Sequence, residues 1–217
     1  MIKLDFHTHS SASPDGGIRA EQYRELLEQG VVDIIAVTDH NSTKVARELH
    51  SSLGDRIIIG EEIMSSQGEL IGLYLHTTIK PGMTAKKTAE AIHAQGGIVY
   101  IPHPFETVRH ALQEDVLNEI ANLIDIVEVV NGRALLQNKG PRALTWATLH
   151  HKRTAASSDA HTHKGVGASY TVVKNLPVKE SLLVELESAE LKAQMPPYYT
   201  LLAPKYNRIR NKLGFAR

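Results

Sequence analysis

Apolar and polar residues alternate over residues 2–6, the period of a strand with one face turned inward. The spacing then becomes helical over residues 18–29, with Tyr23, Leu26 and Leu27 on one side and Gly30 as a stop. Residues 31–37 form a near-continuous apolar run, as expected of a strand covered on both faces. The same succession continues along the chain. Helices are predicted over 43–51, 84–95, 114–123 and 138–151, and strands over 56–60, 70–75, 97–101, 125–130 and 154–157. A short extended piece at 170–173 and a helix over 178–193 follow. Strands alternating with helices predict parallel βα units, and roughly seven of them in 217 residues leave too little chain for two α/β domains. The pattern therefore predicts one compact α/β barrel over residues 1–195 and a separate tail over 196–217.

Each predicted strand ends in residues that carry chemistry. The first ends in His7-Thr8-His9, where i, i+2 spacing turns both imidazoles to one side. The second runs into Asp39-His40, the third into Glu61-Glu62, and the fourth lies between Glu69 and His76. The fifth delivers His103 between two prolines, the sixth Asn131-Gly132-Arg133, and the seventh Asp159-Ala160-His161, repeating the spacing of the first. In a parallel barrel the functional groups gather at the C-terminal ends of the strands, so these clusters are expected to converge. Asp15 lies in Pro14-Asp15-Gly16-Gly17; it reads most simply as a turn residue, with a third ligand reaching back over the histidine pair as the alternative.

Composition narrows the chemistry. With no cysteine, any metal must be held by histidine or carboxylate, and twelve histidines are present. Lysine plus arginine equals aspartate plus glutamate at 24 each, so no global field recruits nucleic acid or an anionic membrane. A strand starting at residue 2 leaves no room for a signal peptide, and no apolar run approaches membrane-spanning length, which together predict a cytoplasmic protein with no membrane partner. From Met195 onward the chain turns basic, with Lys205, Arg208, Arg210, Lys212 and Arg217 and no acid. The expected reading is an amphipathic helix packing Leu201, Leu202, Ile209 and Leu213 against the barrel, with phosphate or RNA contact as the alternative.

Nitrogen and oxygen ligands with several carboxylates suit a multinuclear site of zinc, manganese or iron. A carboxylate such as Glu62 can bridge two ions. Paired ions roughly 3.5–4 Å apart activate water and clamp an in-line displacement at phosphorus, which is phosphoester hydrolysis. Arg109 and Arg133 are the expected cations for the non-bridging phosphate oxygens, where a planar bidentate donor does best.

The segments H-T-H at 7–9, T-D-H-N at 38–41, G-E-E-I at 60–63, P-H-P at 102–104 and S-D-A-H at 158–161 together resemble the motifs of the polymerase and histidinol phosphatase (PHP) superfamily, over residues 1 to about 175. The resemblance implies a distorted (β/α)7 TIM-like barrel with a trinuclear centre and two or three divalent ions. Carried onto this chain, it implies His7, His9, Glu62 and Asp159 around the first ion, Glu62 and His103 around the second, and Asp15, His40 and His161 around the third. That overrides the turn-only reading of Asp15. A further ligand of the second ion falls to Glu69 or His76, with Glu69 preferred, and Glu62, Asp159 and His161 form the expected catalytic set. Asp39 is expected to orient a ligand rather than to be one. His50, His93, His150 and His151 fall on predicted helices and outside the site, whereas His110 and His163 lie near it. The implied activity is hydrolysis of a phosphorylated metabolite, a nucleotide or a short nucleic acid. Two alternatives stand beside it: an amidohydrolase-type hydrolase, for which the middle strands supply no lysine, and a noncatalytic metal-binding module.

Overall fold

The alternating start of the chain forms β1 (Ile2–Thr8) in the computed structural model, which describes residues 1–134, 137–194 and 196–213. After it come α1 (Ala20–Glu28), β2 (Ile34–Val37), α2 (Lys44–Leu53), β3 (Ile57–Met64), β4 (Glu69–Leu73), α3 (Ala85–Ala94), β5 (Ile98–Ile101), α4 (Glu114–Glu119), β6 (Ile126–Asn131), α5 (Gly140–Leu149) and β7 (Arg153–Ser157). The strands lie in the order β7-β6-β5-β4-β3-β2-β1, a nearly closed sheet. At the end where the strands finish, the ring is joined by a Thr8–Ala160 bridge and by the His9 N–H donating to the Ala160 carbonyl at 2.9 Å. Leu4, Phe6, Ile58, Ile71, Tyr100 and Ile126 fill the interior beneath that end, so the barrel is a packed core with its polar groups at one mouth. The expected distorted TIM-like barrel is what the chain forms.

One strand breaks the expected parallel order. β3 continues through Glu61-Glu62 to Met64 and turns at residues 65–68 into β4, which pairs antiparallel with both β3 and β5. Four residues cannot make the crossover of a dozen or more that a parallel pair requires. Gly68, at φ 140°, closes the turn, with Ser65 Oγ donating to its carbonyl at 2.5 Å. Because β4 is inverted, its first residue, Glu69, arrives at the mouth of the barrel, and His76 beyond its far end is carried to the opposite side.

Beyond β7 a hairpin is added to the edge. β8 (Ser169–Val173) pairs antiparallel with β1, and the predicted helix over 178–193 proves to be α6 (Lys179–Glu185), a 3-10 turn, and then β9 (Glu190–Ala193) on β8. The edge of β8 supplies backbone partners that local helical preference cannot match.

The tail forms α7 (Tyr198–Leu201) and α8 (Ala203–Lys212), while Met195 and the last residues of the basic segment, including Arg217, lie outside the described residues. Its packing differs from expectation: Leu202, Ile209 and Leu213 are 69%, 50% and 65% exposed, and the buried residues among those described are Pro196, Thr200, Ala203, Pro204 and Asn207. The tail docks by small and polar side chains because the surface it meets is the polar mouth of the barrel, not an apolar flank. Among the described residues, no helix is long and apolar enough to cross a membrane.

Candidate metal centre

β1 brings His7 and His9 to the mouth side by side, their Nε2 atoms 3.1 Å apart. Two imidazole nitrogens facing each other this closely are the arrangement of lone pairs aimed at a shared cation. Glu62, in the middle of the long β3, is the hub of the cluster. Its Oε2 lies 3.4 Å from His7 Nε2, 3.3 Å from His9 Nε2 and 3.3 Å from His40 Nδ1, and its Oε1 lies 3.3 Å from His103 Nε2. Asp159 Oδ1 stands 3.6 Å from the Nε2 of both His7 and His9. Glu69 is 3.8 Å from His40 and from His103.

Asp15 completes the opposite side, 3.5 Å from His40 Nε2 and 3.6 Å from His161 Nε2. Its loop needs the glycine beside it, since a Cβ on Gly16 would lie 1.9 Å from the Ser10 carbonyl oxygen. All nine predicted ligands, five histidines and four carboxylates, thus fall into overlapping groups able to hold ions: His7, Glu62 and His103; His7, His9 and Asp159; His40, Glu62 and Glu69; and His9, Asp15, His40 and His161. His76 is exposed and away from them. Gln22 Nε2 on α1 donates to His163 Nδ1 at 3.0 Å, whereas His110 lines the cavity.

Surrounding groups orient the imidazoles. Glu128 Oε1 lies 3.3 Å from His7 Nδ1, leaving Nε2 for the centre; its other oxygen accepts from the His103 backbone N–H at 2.7 Å and from Asn131 at 2.8 Å. His161 Nδ1 bonds the Asp159 carbonyl at 2.9 Å, freeing its Nε2 toward Asp15. Asp39 orients no histidine directly; it accepts from the Ser10 N–H at 2.7 Å and hydroxyl at 2.5 Å and so fixes the loop leaving His9. His103 and Asp159 both hold left-handed backbone, φ 31° and 52°, strain of the kind stored at functional sites.

The electrostatics call for a cation. Burial pushes the Glu69 carboxyl up to about 8, with neighbouring Glu62 adding to it. Burial likewise pushes Glu62 up, but His40 and His7 more than offset it and hold that carboxyl well below the usual range. His161 is driven down to about 3 by burial and by His9 and Arg133, and His9 and His103 are also lowered by burial, so these are neutral imidazoles suited to ligation. Among the described residues, Nδ1 of His9 and of His103 has no hydrogen-bond partner. Crowded carboxylates, neutral imidazoles and the converging nitrogens of His7 and His9 are a donor set that fits divalent ions.

Both predicted arginines reach the centre. Arg109 pairs with Asp159 and is gripped by Glu106 through Nε at 2.7 Å and Nη2 at 2.5 Å; Arg133 Nη1 lies 3.3 Å from Asp159 Oδ1. They border a cavity of about 520 Å³, whose outer wall is Leu201, Pro204, Lys205, Arg208, Ile209 and Lys212 of the tail. Three parts of this site were not singled out from sequence. Glu128 was signalled by a lone acid inside the apolar run 126–130, and Glu106 by its i, i+3 spacing to Arg109. The third, the docking of α8, has no local signal. Asn207 Nδ2 donates to the carbonyls of Asp15 at 2.9 Å and His161 at 3.2 Å, and Arg208 donates to Asp15 Oδ2 at 2.7 Å.

Known proteins agree with this picture. The PHP-associated family model (PHP_C) matches residues 139–191. The uncharacterized protein MJ1587 of Methanocaldococcus jannaschii is 30% identical over 143 residues, covering 60% of this chain and 82% of that protein. A two-domain protein of Bacteroides vulgatus, described as containing a predicted PHP-like metal-dependent phosphoesterase, superposes with a TM-score of 0.69 at 20% identity, over 89% of this chain. This chain spans 65% of that protein's length. The lesion-specific endonuclease PfuEndoQ of Pyrococcus furiosus superposes with a TM-score of 0.60 at 13% identity, over 88% of this chain and 57% of that one. The chain belongs to the polymerase and histidinol phosphatase (PHP) superfamily.

Proposed function

We propose that the protein hydrolyses phosphate esters with two or three divalent ions, zinc, manganese or iron, held by His7, His9, Asp15, His40, Glu62, Glu69, His103, Asp159 and His161. The observation that carries this reading is the convergence of these nine buried or half-buried side chains, eight of which, all but His7, line one cavity with Arg109 and Arg133. Ions bound there supply Lewis acidity, polarising phosphoryl oxygens and making water a competent nucleophile near neutral pH. The chain's own residues do the rest. Glu62 ties the groups together, since its two oxygens face histidines from four directions. Arg109, locked by Glu106, presents a planar guanidinium whose charge is guaranteed: burial lowers its pKa, but Asp159 and Glu106 raise it further. When phosphate enters, Arg109 and Arg133 are the donors for its non-bridging oxygens. His110, exposed on the cavity wall, is a candidate source of the proton for the leaving oxygen, beside water.

A phosphorylated metabolite, a nucleotide and a short nucleic acid all remain within this chemistry, and the fold is shared with a lesion-specific endonuclease. An amidohydrolase-type reaction is less well supported: the lysines lining the cavity are Lys205 and Lys212 of the tail, and no barrel lysine joins them among the described residues. The decisive experiment counts metals in the purified protein by elemental analysis and compares turnover of an aryl phosphate, an aryl phosphodiester and a short RNA, with and without chelator. Fewer than two ions per chain together with no chelator-sensitive turnover would end this reading. Arg109→Ala is expected to raise KM at unchanged metal content; unaltered KM and kcat would remove it from the phosphate site.

A further inference from the structure

The tail is the least acidic part of the chain and it lands on the most acidic cluster. Residues 196–213 hold four cations and no acid in a chain of zero net charge. In α8, Lys205, Arg208 and Lys212 stand at i, i+3 and i+7, one helical face, and all three line the cavity. This face is held in place and is not a loose arm. Asn207 and Asn211, between and beside the cations, donate to the carbonyls of Asp15 and Pro14, each at 2.9 Å, and Arg208 reaches Asp15 itself. Gly17 permits the approach, since a Cβ there would stand 2.8 Å from Asn207 Nδ2.

The candidate ligands' carboxylates are already balanced by the ions they would hold and by Arg109 and Arg133, so Lys205 and Lys212 have no acid of their own there: neither makes an ion pair among the described residues. Leu201, Pro204 and Ile209 of the tail, together with Val108, give the same cavity an apolar stretch of wall. A substrate that used the whole cavity would therefore place one phosphate at the ions, an uncharged body over the apolar stretch, and a second anionic group on α8.

We propose that α8 is a specificity element of the site, in which Lys205, Arg208 and Lys212 bind a second phosphate of a substrate whose scissile phosphate sits by Arg109 and Arg133. The substrate class is a phosphate ester with another phosphate a few bonds away, chemistry shared by the end of an oligonucleotide and by a bisphosphorylated metabolite. The inference rests on the phosphoesterase reading.

The test compares the metal-loaded full chain with its Lys205→Gln/Lys212→Gln variant on three esters: an aryl phosphate with one phosphate, a 5′-phosphorylated dinucleotide and a hexose bisphosphate. The readout is the ratio of kcat/KM for each two-phosphate ester to that for the aryl phosphate. At least one ratio should fall about tenfold in the variant, with the change carried by KM, as expected when ground-state contacts to a remote group are removed. The dinucleotide ratio alone falling assigns the row to nucleic-acid ends, and the hexose ratio alone falling assigns it to a metabolite. Ratios within twofold of the parent for both esters overturn the proposal. If no ester turns over, the phosphoesterase reading has failed, and calorimetric binding of pyrophosphate against inorganic phosphate still judges the row. Tighter binding of pyrophosphate that weakens in the variant supports it; equal affinities, or a difference the variant keeps, overturn it.

Discussion

The candidate ligand cluster has two halves that different parts of the molecule hold in place. His7, Glu62 and His103 are buried, and strands or strand ends of the barrel carry them. Behind them Glu128 fixes His7 and the His103 backbone, and Asp5 accepts the Ser158 N–H at 3.0 Å, stitching β1 to the end of β7. Asp15, His40 and His161 lie on loops beyond the strands, and the His40 side chain is 19% exposed. What joins Asp15 to His161 from outside is one amide on α8, Asn207. The inner half inherits its precision from a packed core, whereas the outer half depends on a tail docked through a few polar contacts. Ion retention is therefore expected to be tight inside and weaker outside.

Glu62 belongs to both halves, so its loss should be the largest effect. Glu62→Gln is expected to empty inner and outer positions together and to lower phosphoesterase turnover roughly a thousandfold, about 4 kcal/mol. Elemental analysis beside circular dichroism reads this; a folded variant that retains its full complement of ions would separate the halves. Next in size is Asp5 within the inner frame. Its carboxyl is pushed up to about 6 by burial, against 3.8 for the free group. The folded state thus binds this proton more tightly than the unfolded chain, so the stabilisation is complete below pH 4 and is lost as pH rises through 6. A shift of about two units corresponds to about 3 kcal/mol. In metal-free protein, urea unfolding should show the stability advantage of the parent over Asp5→Asn shrinking by about that amount between pH 4 and 7; a constant difference would show that Asp5 does not titrate in this window.

The inner half was far more legible in the sequence than the outer. His7 and His9 announce themselves by strand spacing, and His103 and Asp159 by their place just past apolar runs, because a barrel sends strand ends to one mouth. Glu69 needed more: only the shortness of the 65–68 connection shows that β4 is inverted and that its first residue, not its last, faces the centre. His76 followed the parallel pattern and was carried away. Asp15 looked like a turn, and spacing alone carries no sign that Asn207, 192 positions later, holds its carbonyl. The tail's exposed leucines misled for a related reason: helical periodicity locates an apolar stripe but cannot say that the surface it would meet is polar.

Glu128 sharpens the comparison from inside. Glu128→Gln keeps its volume but weakens the acceptor that holds His7 Nδ1 and the His103 N–H. Changes to such orienting partners cost about 10–100-fold in metal affinity, and the loss should fall on the ion near His7 and His103. Competition with a chelator of known affinity would reveal it as a weakened tight phase. If the weak phase moved instead, the assignment of Glu128 to the inner half would be wrong.

Asn207→Ala tests the other side with the smallest expected change. The substitution leaves the carbonyls of Asp15 and His161 without their shared donor, and water entering at the seam between α8 and the barrel can replace part of what is lost. The loop carrying Asp15 is then free to drift from His40 and His161, so affinity for the outer ion should fall about tenfold, at the low end of the range for such supporting contacts. The tight phase of chelation should not move, because no inner ligand touches α8 through Asn207. An equal loss in both phases would mean that the tail supports the whole mouth of the barrel, and the division into a core-held half and a tail-held half would not stand.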